Sequence, residues 1–319
     1  MSAEIVVQQM VIIFILIAIG IFLYKKKMLS ETTSQQLSGL IVNVTNPALL
    51  ISSALQEGPR VPLRELGITL GAALIIYGIL IVSGFLIPWI LRVPTGYHYA
   101  YQMLTVFGNV GFIGIPLASA VLGTEALIFV SIYNLLYNVF IYTFGISLLE
   151  KASVRQNVLQ QEKSGQDIVP GFRWKKLINV GTISAAATII IYLSGFRAPT
   201  VLSSTLNHIG QSTTLLSMLI LGVSVAQMAV KDIFSHWKLY GFTVLRQILL
   251  PVGCIFLLRP LLDNPLILNT MVLMLAVPAG NLPLMLSKQL QINTDTISQG
   301  IILTTILSLV TIPAVSLFL

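Results

Sequence analysis

"FGNVGFIGIPL", residues 107–117, lies in a run apolar enough to cross a bilayer, yet it holds three glycines, a proline and an asparagine. "AVPAGNLPLML", residues 276–286, repeats the Gly-Asn pair and carries two prolines. Backbone groups freed by a broken helix find no water in hydrocarbon. Such breaks are tolerated only where protein or a watery cavity covers them. What surrounds these two stretches therefore decides the fold.

The whole chain reads as a membrane protein. Its 319 residues are 55% hydrophobic and 9% charged, with a mean hydropathy of +0.90, against about 25% charged in soluble domains. Ten runs can cross roughly 30 Å of hydrocarbon at about 1.5 Å per residue. They lie near 6–24, 35–55, 66–91, 100–121, 124–149, 175–194, 205–229, 237–258, 265–286 and 295–318. Lys25, Lys26 and Lys27 follow the first run; a cleavable signal would have its basic residues before the run, so this is expected to be a retained span. The polar stretch 151–174 divides the spans five and five. The expected domains are therefore a first repeat over 1–150, a cytoplasmic linker over 151–174 and a second repeat over 175–319.

Charge placement gives the orientation. With the lysine triplet cytoplasmic, that side also receives Arg92, Lys151, Arg155, Lys163, Arg173, Lys175, Lys176, Lys231, Lys238 and Lys288, and the other side keeps Arg60, Arg64, Arg197 and Arg259. Thirteen against four satisfies the positive-inside rule and sets both termini outside the cytoplasm. The net charge of +7 is then a topology signal, and no nucleic acid is expected. Cys254 is the single cysteine, which excludes a disulfide framework and a Cys-based metal site. His98, His208 and His236 fall near the span ends, where solvent accounts for them. No Asp or Glu falls in a span core, no Walker A loop is present, and no HExxH motif or nucleophile–base pair lies within a span. No cofactor, metal or enzymatic chemistry is expected.

Five spans is an odd number, so a repeated second half enters the membrane from the opposite face. The Gly108-Asn109 and Gly280-Asn281 pairs stand 172 residues apart. Thr124-Glu125 and Thr294-Asp295 each read as a threonine N-cap with an acid in the first turn. Paired breaks in two inverted halves point to a transporter's binding site, where half-helix N-termini offer N–H groups to an anion. Asn109 and Asn281 can each donate and accept. Asn134 and Asn138 sit at i and i+4 with Tyr142 one turn on, and Asn46 precedes the kinking Pro47. A membrane asparagine serves as helix–helix glue or as a ligand contact, and both readings stay open. Arg246, the one charge near a span's middle, is either a substrate counter-ion or a partner for carbonyls freed by a broken neighbour.

"GNVGFIGIPL" with "YNLLYN…YTFGISLLE" resembles the fourth and fifth helices of the auxin efflux carrier family, the PIN-FORMED-like transporters and their prokaryotic relatives. Residues 276–313 resemble its last two helices and "VNVTNPALL" its second; the signal is most specific at Asn109-x-x-x-x-Gly114-Ile115-Pro116-Leu117. The resemblance implies an all-α membrane protein of ten helices in two inverted five-helix repeats, like the bile acid/sodium symporters. Helices one, two, six and seven would form a scaffold, able to pair as a homodimer; helices three to five and eight to ten would form a core, with helices four and nine crossing at the substrate. It implies carriage of small organic anions, auxin-like or malate- and malonate-like, by an elevator shift in the plasma membrane. Asn109, Asn138 and Tyr142 match its substrate contacts. The short central loop and Gly280-Asn281 depart from the plant carriers and speak against auxin itself. A sodium-coupled symporter of the bile-acid type is the alternative, and an intramembrane enzyme or a channel would be a different class.

Overall fold

A computed structural model describes residues 3–55, 61–160, 180–227, 236–290 and 292–319. Arg60, Lys163, Arg173, Lys175, Lys176, Lys231, most of the central linker and the start of the sixth span lie outside the described residues. Helices dominate: α1 (Ala3–Lys25), α2 (Glu31–Ala54), α3 (Leu63–Ile90), α4 (His98–Val106), α5 (Val110–Leu122), α6 (Thr124–Ser153), α7 (Val180–Ser194), α8 (Thr200–Ala226), α9 (Trp237–Leu258), α10 (Pro265–Ala276), α11 (Asn281–Gln289) and α12 (Asp295–Ser316). Among the described residues, α2, α3, α6, α9 and α12 are long and apolar enough to cross a membrane alone. The expected fourth and ninth spans are each two short helices in series, α4 with α5 and α10 with α11. Large apolar side chains such as Phe85, Trp89, Val201 and Val310 face outward, as a lipid-solvated surface requires.

Four helices contain a turn widened to i→i+5 hydrogen bonding: Ile41–Thr45, Val110–Gly114, Ile141–Gly145 and Leu245–Leu249. Three share one cause. Pro47, Pro116 and Pro251 each stand two residues past such a turn. A proline ring lacks the N–H and crowds the carbonyl four residues back, and a wider turn relieves that clash. At the fourth, a Cβ on Gly145 would come within 3.0 Å of the Phe107 ring; the missing side chain lets that ring pack edge-on against Tyr137 at 5.8 Å.

The helices form two packed groups. α1 meets α8 where Gly20 and Gly222 let the backbones touch: a Cβ on Gly20 would stand 2.3 Å from the Leu219 carbonyl oxygen. α2 joins them over Gly210, and α7 packs on α2 and as closely on α6, linking this group to the second. Small residues at close crossings are how helices associate in lipid, where the hydrophobic effect supplies no drive. The second group holds α3, α4, α6, α9, α10 and α12 around Tyr77, Leu104, Phe129 and Phe242. Its two ends are tied separately. At one end Lys238 donates to the Arg92 carbonyl at 2.6 Å and Ser153 to the Leu290 carbonyl at 3.4 Å; at the other, Asn264 donates to Glu65 at 2.7 Å. α4 and α10 therefore start from opposite ends and meet in the middle.

The two expected threonine caps are corrected. α6 is entered through Gly123, which takes a φ of 84° that suits glycine. Thr294 does occupy the N-cap position of α12 but makes no side-chain cap bond. Asn293 Oδ1 takes the Asp295 N–H instead, at 2.9 Å.

Candidate functional site

The two broken stretches are held together by backbone. Between α4 and α5 the chain is extended at Phe107, and between α10 and α11 it is extended at Val277. Asn109 N–H donates to the Pro278 carbonyl at 2.7 Å, and Gly280 N–H donates to the Phe107 carbonyl at 2.9 Å. These bonds make an antiparallel bridge between Gly108 and Ala279. Each break satisfies the other's freed groups, the condition for irregular backbone at membrane depth. The approach requires glycine: a Cβ on Gly280 would lie 2.7 Å from the Gly108 carbonyl oxygen. Ala279 N–H is met by the Thr304 hydroxyl at 3.1 Å.

Four helix ends meet at this crossing, and they are sorted by charge. α5 and α11 begin there, so their N-termini face a cavity of about 380 Å³ lined by Gly108, Asn109, Gly111, Gly280 and Asn281. Each N-terminus carries roughly half a positive charge. Asn109 caps α5, its Oδ1 accepting the Phe112 N–H at 3.2 Å. That bond fixes which way the amide points. Nδ2 is then left buried with no partner, on a residue that lines the cavity.

The rest of the lining comes from both helix groups. α2 presents Asn46, whose Nδ2 donates to the Gly111 carbonyl at 3.0 Å while its Oδ1 is unpartnered. α6 presents Asn134, Asn138 and Tyr142, the two asparagines joined because Asn138 Nδ2 donates to the Asn134 carbonyl at 2.8 Å. Val42, Leu50, Phe112, Ile115, Val180 and Leu282 make the remainder largely apolar. No Lys, Arg, His, Asp or Glu lines the cavity among the described residues.

α4 and α10 end at the crossing, and their C-termini carry the opposite sign. Here Arg246, 1% exposed, comes in from the wide turn of α9. Its Nε donates to the Thr105 carbonyl at 2.6 Å and its Nη1 to the Leu275 carbonyl, one carbonyl from the last turn of each half-helix. Two C-termini at roughly half a negative charge each balance one guanidinium. Among the described residues no carboxylate faces it.

Eight of the nine sequence-predicted site residues (Asn46, Gly108, Asn109, Asn134, Asn138, Tyr142, Gly280 and Asn281) line this one cavity. Arg246 does not; it stands behind Gly108, 3.5 Å from where a Cβ on that glycine would be. Tyr137, Gly181 and Ser184 line the cavity unforeseen. Tyr137 was within reach of sequence reasoning, lying at i+3 from Asn134 on the same face. Gly181 and Ser184 sit in α7 with nothing local to mark them.

A family model described as membrane transport protein matches residues 5–316. No curated protein matches the chain.

Proposed function

The chain belongs to the membrane transport protein family, that of the auxin efflux carriers, and from that premise we propose that it is a secondary carrier for small organic anions bound at the crossing of the two broken helices. The observation that carries this reading is Asn109, which caps one of the two helix N-termini facing the cavity and keeps a buried Nδ2 with no partner. A carboxylate supplies what the site lacks: an acceptor for Nδ2 and a negative charge for two positive helix ends. Roughly two half-charges and apolar walls favour one carboxylate on an apolar body over a dicarboxylate.

The finer mechanism belongs to the same proposal. α4 and α10 approaching from opposite ends support two inverted five-helix repeats and ten spans. The cavity lies between α2 and α7 on one side and the broken helices with α6 on the other. That placement supports an elevator shift of the second helix group against the first, in a plasma membrane with both termini outside the cytoplasm. Pairing of two copies through the scaffold is part of the reading, the outward faces of α1 carrying Phe14 and Phe22.

The test is a thermal-shift and binding screen of the purified protein against monocarboxylates, dicarboxylates and organic cations. Monocarboxylates with an apolar body should raise the melting temperature most, and organic cations should do nothing. Stabilisation by cations, or by no carboxylate at all, sinks the proposal.

A further inference from the structure

In broken-helix carriers, half-helix C-terminal ends and unwound carbonyls are where a mobile cation binds. In this chain one such carbonyl of each half-helix is taken. Thr105 and Leu275, from the last turns of α4 and α10, are both bonded by Arg246, and the guanidinium lies against the crossing at Gly108. We propose that Arg246 is a tethered cation, standing where a mobile one would otherwise bind, so that anion binding by this chain is independent of sodium. The inference rests on the anion-carrier reading for its ligand but not for its geometry.

The physical argument turns on what each charge offsets. Two helix C-termini brought together in hydrocarbon repel each other unless a positive charge lies between them, and a dry site strengthens that repulsion. A free sodium ion would do this at the cost of its hydration and of a dependence on its concentration. A guanidinium on a side chain does it permanently. Its planar donors suit two carbonyls from different helices. By fixing the C-terminal ends, Arg246 fixes the bridge at Gly108 and Ala279 and hence the N-termini that face the anion. It stands behind Gly108 and does not itself line the cavity, so it is a positioning residue.

Arg246→Ala removes the tethered charge and leaves a space beside Gly108, which itself lines the cavity, so a small cation has a path to it. The variant should bind the best carboxylate at least about tenfold more weakly in buffer free of alkali and guanidinium ions. Guanidinium chloride in the low millimolar range, far below denaturing molar levels, should restore most of that affinity and raise the variant's melting temperature. Neither readout should move in the wild type. Sodium, at constant ionic strength set with choline, should leave wild-type binding unchanged. Arg246→Lys should bind without sodium, which keeps the question open to test if the alanine variant does not fold. Overturning results are wild-type affinity that rises with sodium, a lysine variant that requires it, or a folded alanine variant that no cation rescues. If no carboxylate binds the wild type, the carrier reading fails, while guanidinium-dependent melting of Arg246→Ala still reads the tethered cation.

Discussion

Asn109 does two jobs with one amide, and they can be separated. Its Oδ1 holds the Phe112 N–H and starts α5; its Nδ2 is buried and without a partner. Asn109→Asp keeps an oxygen for the cap, and Asp is as good an N-cap as Asn, so the helix start should survive. The donor is gone and a negative charge replaces it. At neutral pH binding should collapse. As pH falls and the new acid takes up a proton, binding should partly return, because the protonated acid donates again. Asn109→Ala removes the hydrogen bond to a charged ligand without adding repulsion. It should weaken affinity by about 1.5–3 kcal/mol, roughly ten- to a hundredfold, with no pH recovery. Titrations of the tightest carboxylate across pH, on protein verified as folded, would check the order. Wild-type affinity in Asn109→Asp beside a loss in Asn109→Ala would mean that Asn109 matters only as a cap. Asn46 offers the opposite case, with Nδ2 committed to Gly111 and Oδ1 free. Asn46→Leu should weaken ligands with a donor beside the carboxylate more than ligands without one, in the same titrations.

At the scale of the element, glycine spacing decides whether the half-helices can meet. A Cβ at Gly280 would stand 2.7 Å from the Gly108 oxygen and 3.1 Å from its carbonyl carbon. Both are backbone atoms locked in the bridge, so nothing can swing aside. Gly280→Ala should lower stability by about 1–3 kcal/mol, the ordinary cost of overpacking, read as a lower melting temperature together with weaker anion binding. Gly253, in α9 with nothing within 4 Å, is the control. Alanine there should be neutral or should stabilise by about 0.5–1 kcal/mol through helix propensity. Much of this level is legible in the sequence, because breaks in apolar runs are loud: the Gly-Asn pairs located both interruptions, and Asn-x-x-x-Asn located the face of α6. Arg246 could be seen as buried, but not which way it turned. Its two readings differ only in whether carbonyls or the ligand lie at the tip of a long side chain, and that depends on where two distant helices end. Gly181 and Ser184 were unreadable for the same reason, since their role is set by the neighbour across the cavity. The wide turns at Ile41–Thr45, Val110–Gly114 and Leu245–Leu249 carried a common signature in the proline that follows each one. They lie at the cavity or beside the crossing.

The whole molecule has two ends, and charge distinguishes them. Arg92 and Lys238 are joined at one end, and Ser153, two residues beyond Lys151, is tied there to Leu290. Glu65 and Asn264 meet at the other, with Arg64 and Arg259 close by in the chain. A bilayer oriented by the positive-inside rule places the Arg92 and Lys238 end in the cytoplasm. Thr95, in the turn before α4, and Asp263, in the turn before α10, are both exposed, and they lead into the two half-helices that approach the crossing from opposite sides. In a Cys254→Ala background, Thr95→Cys should react with a membrane-impermeant maleimide only from the cytoplasmic face, and Asp263→Cys only from outside. The assay should be run in both intact cells and inverted vesicles, so that each site is reached in one preparation and protected in the other. Reaction of both cysteines from one face would mean that α4 and α10 enter together. The opposed half-helices would then be lost, and with them the inverted repeats, the sorting of N-termini from C-termini and the anion site built on it. Opposite labelling with the signs exchanged would keep the architecture and reverse only the orientation, leaving the positive-inside argument at fault.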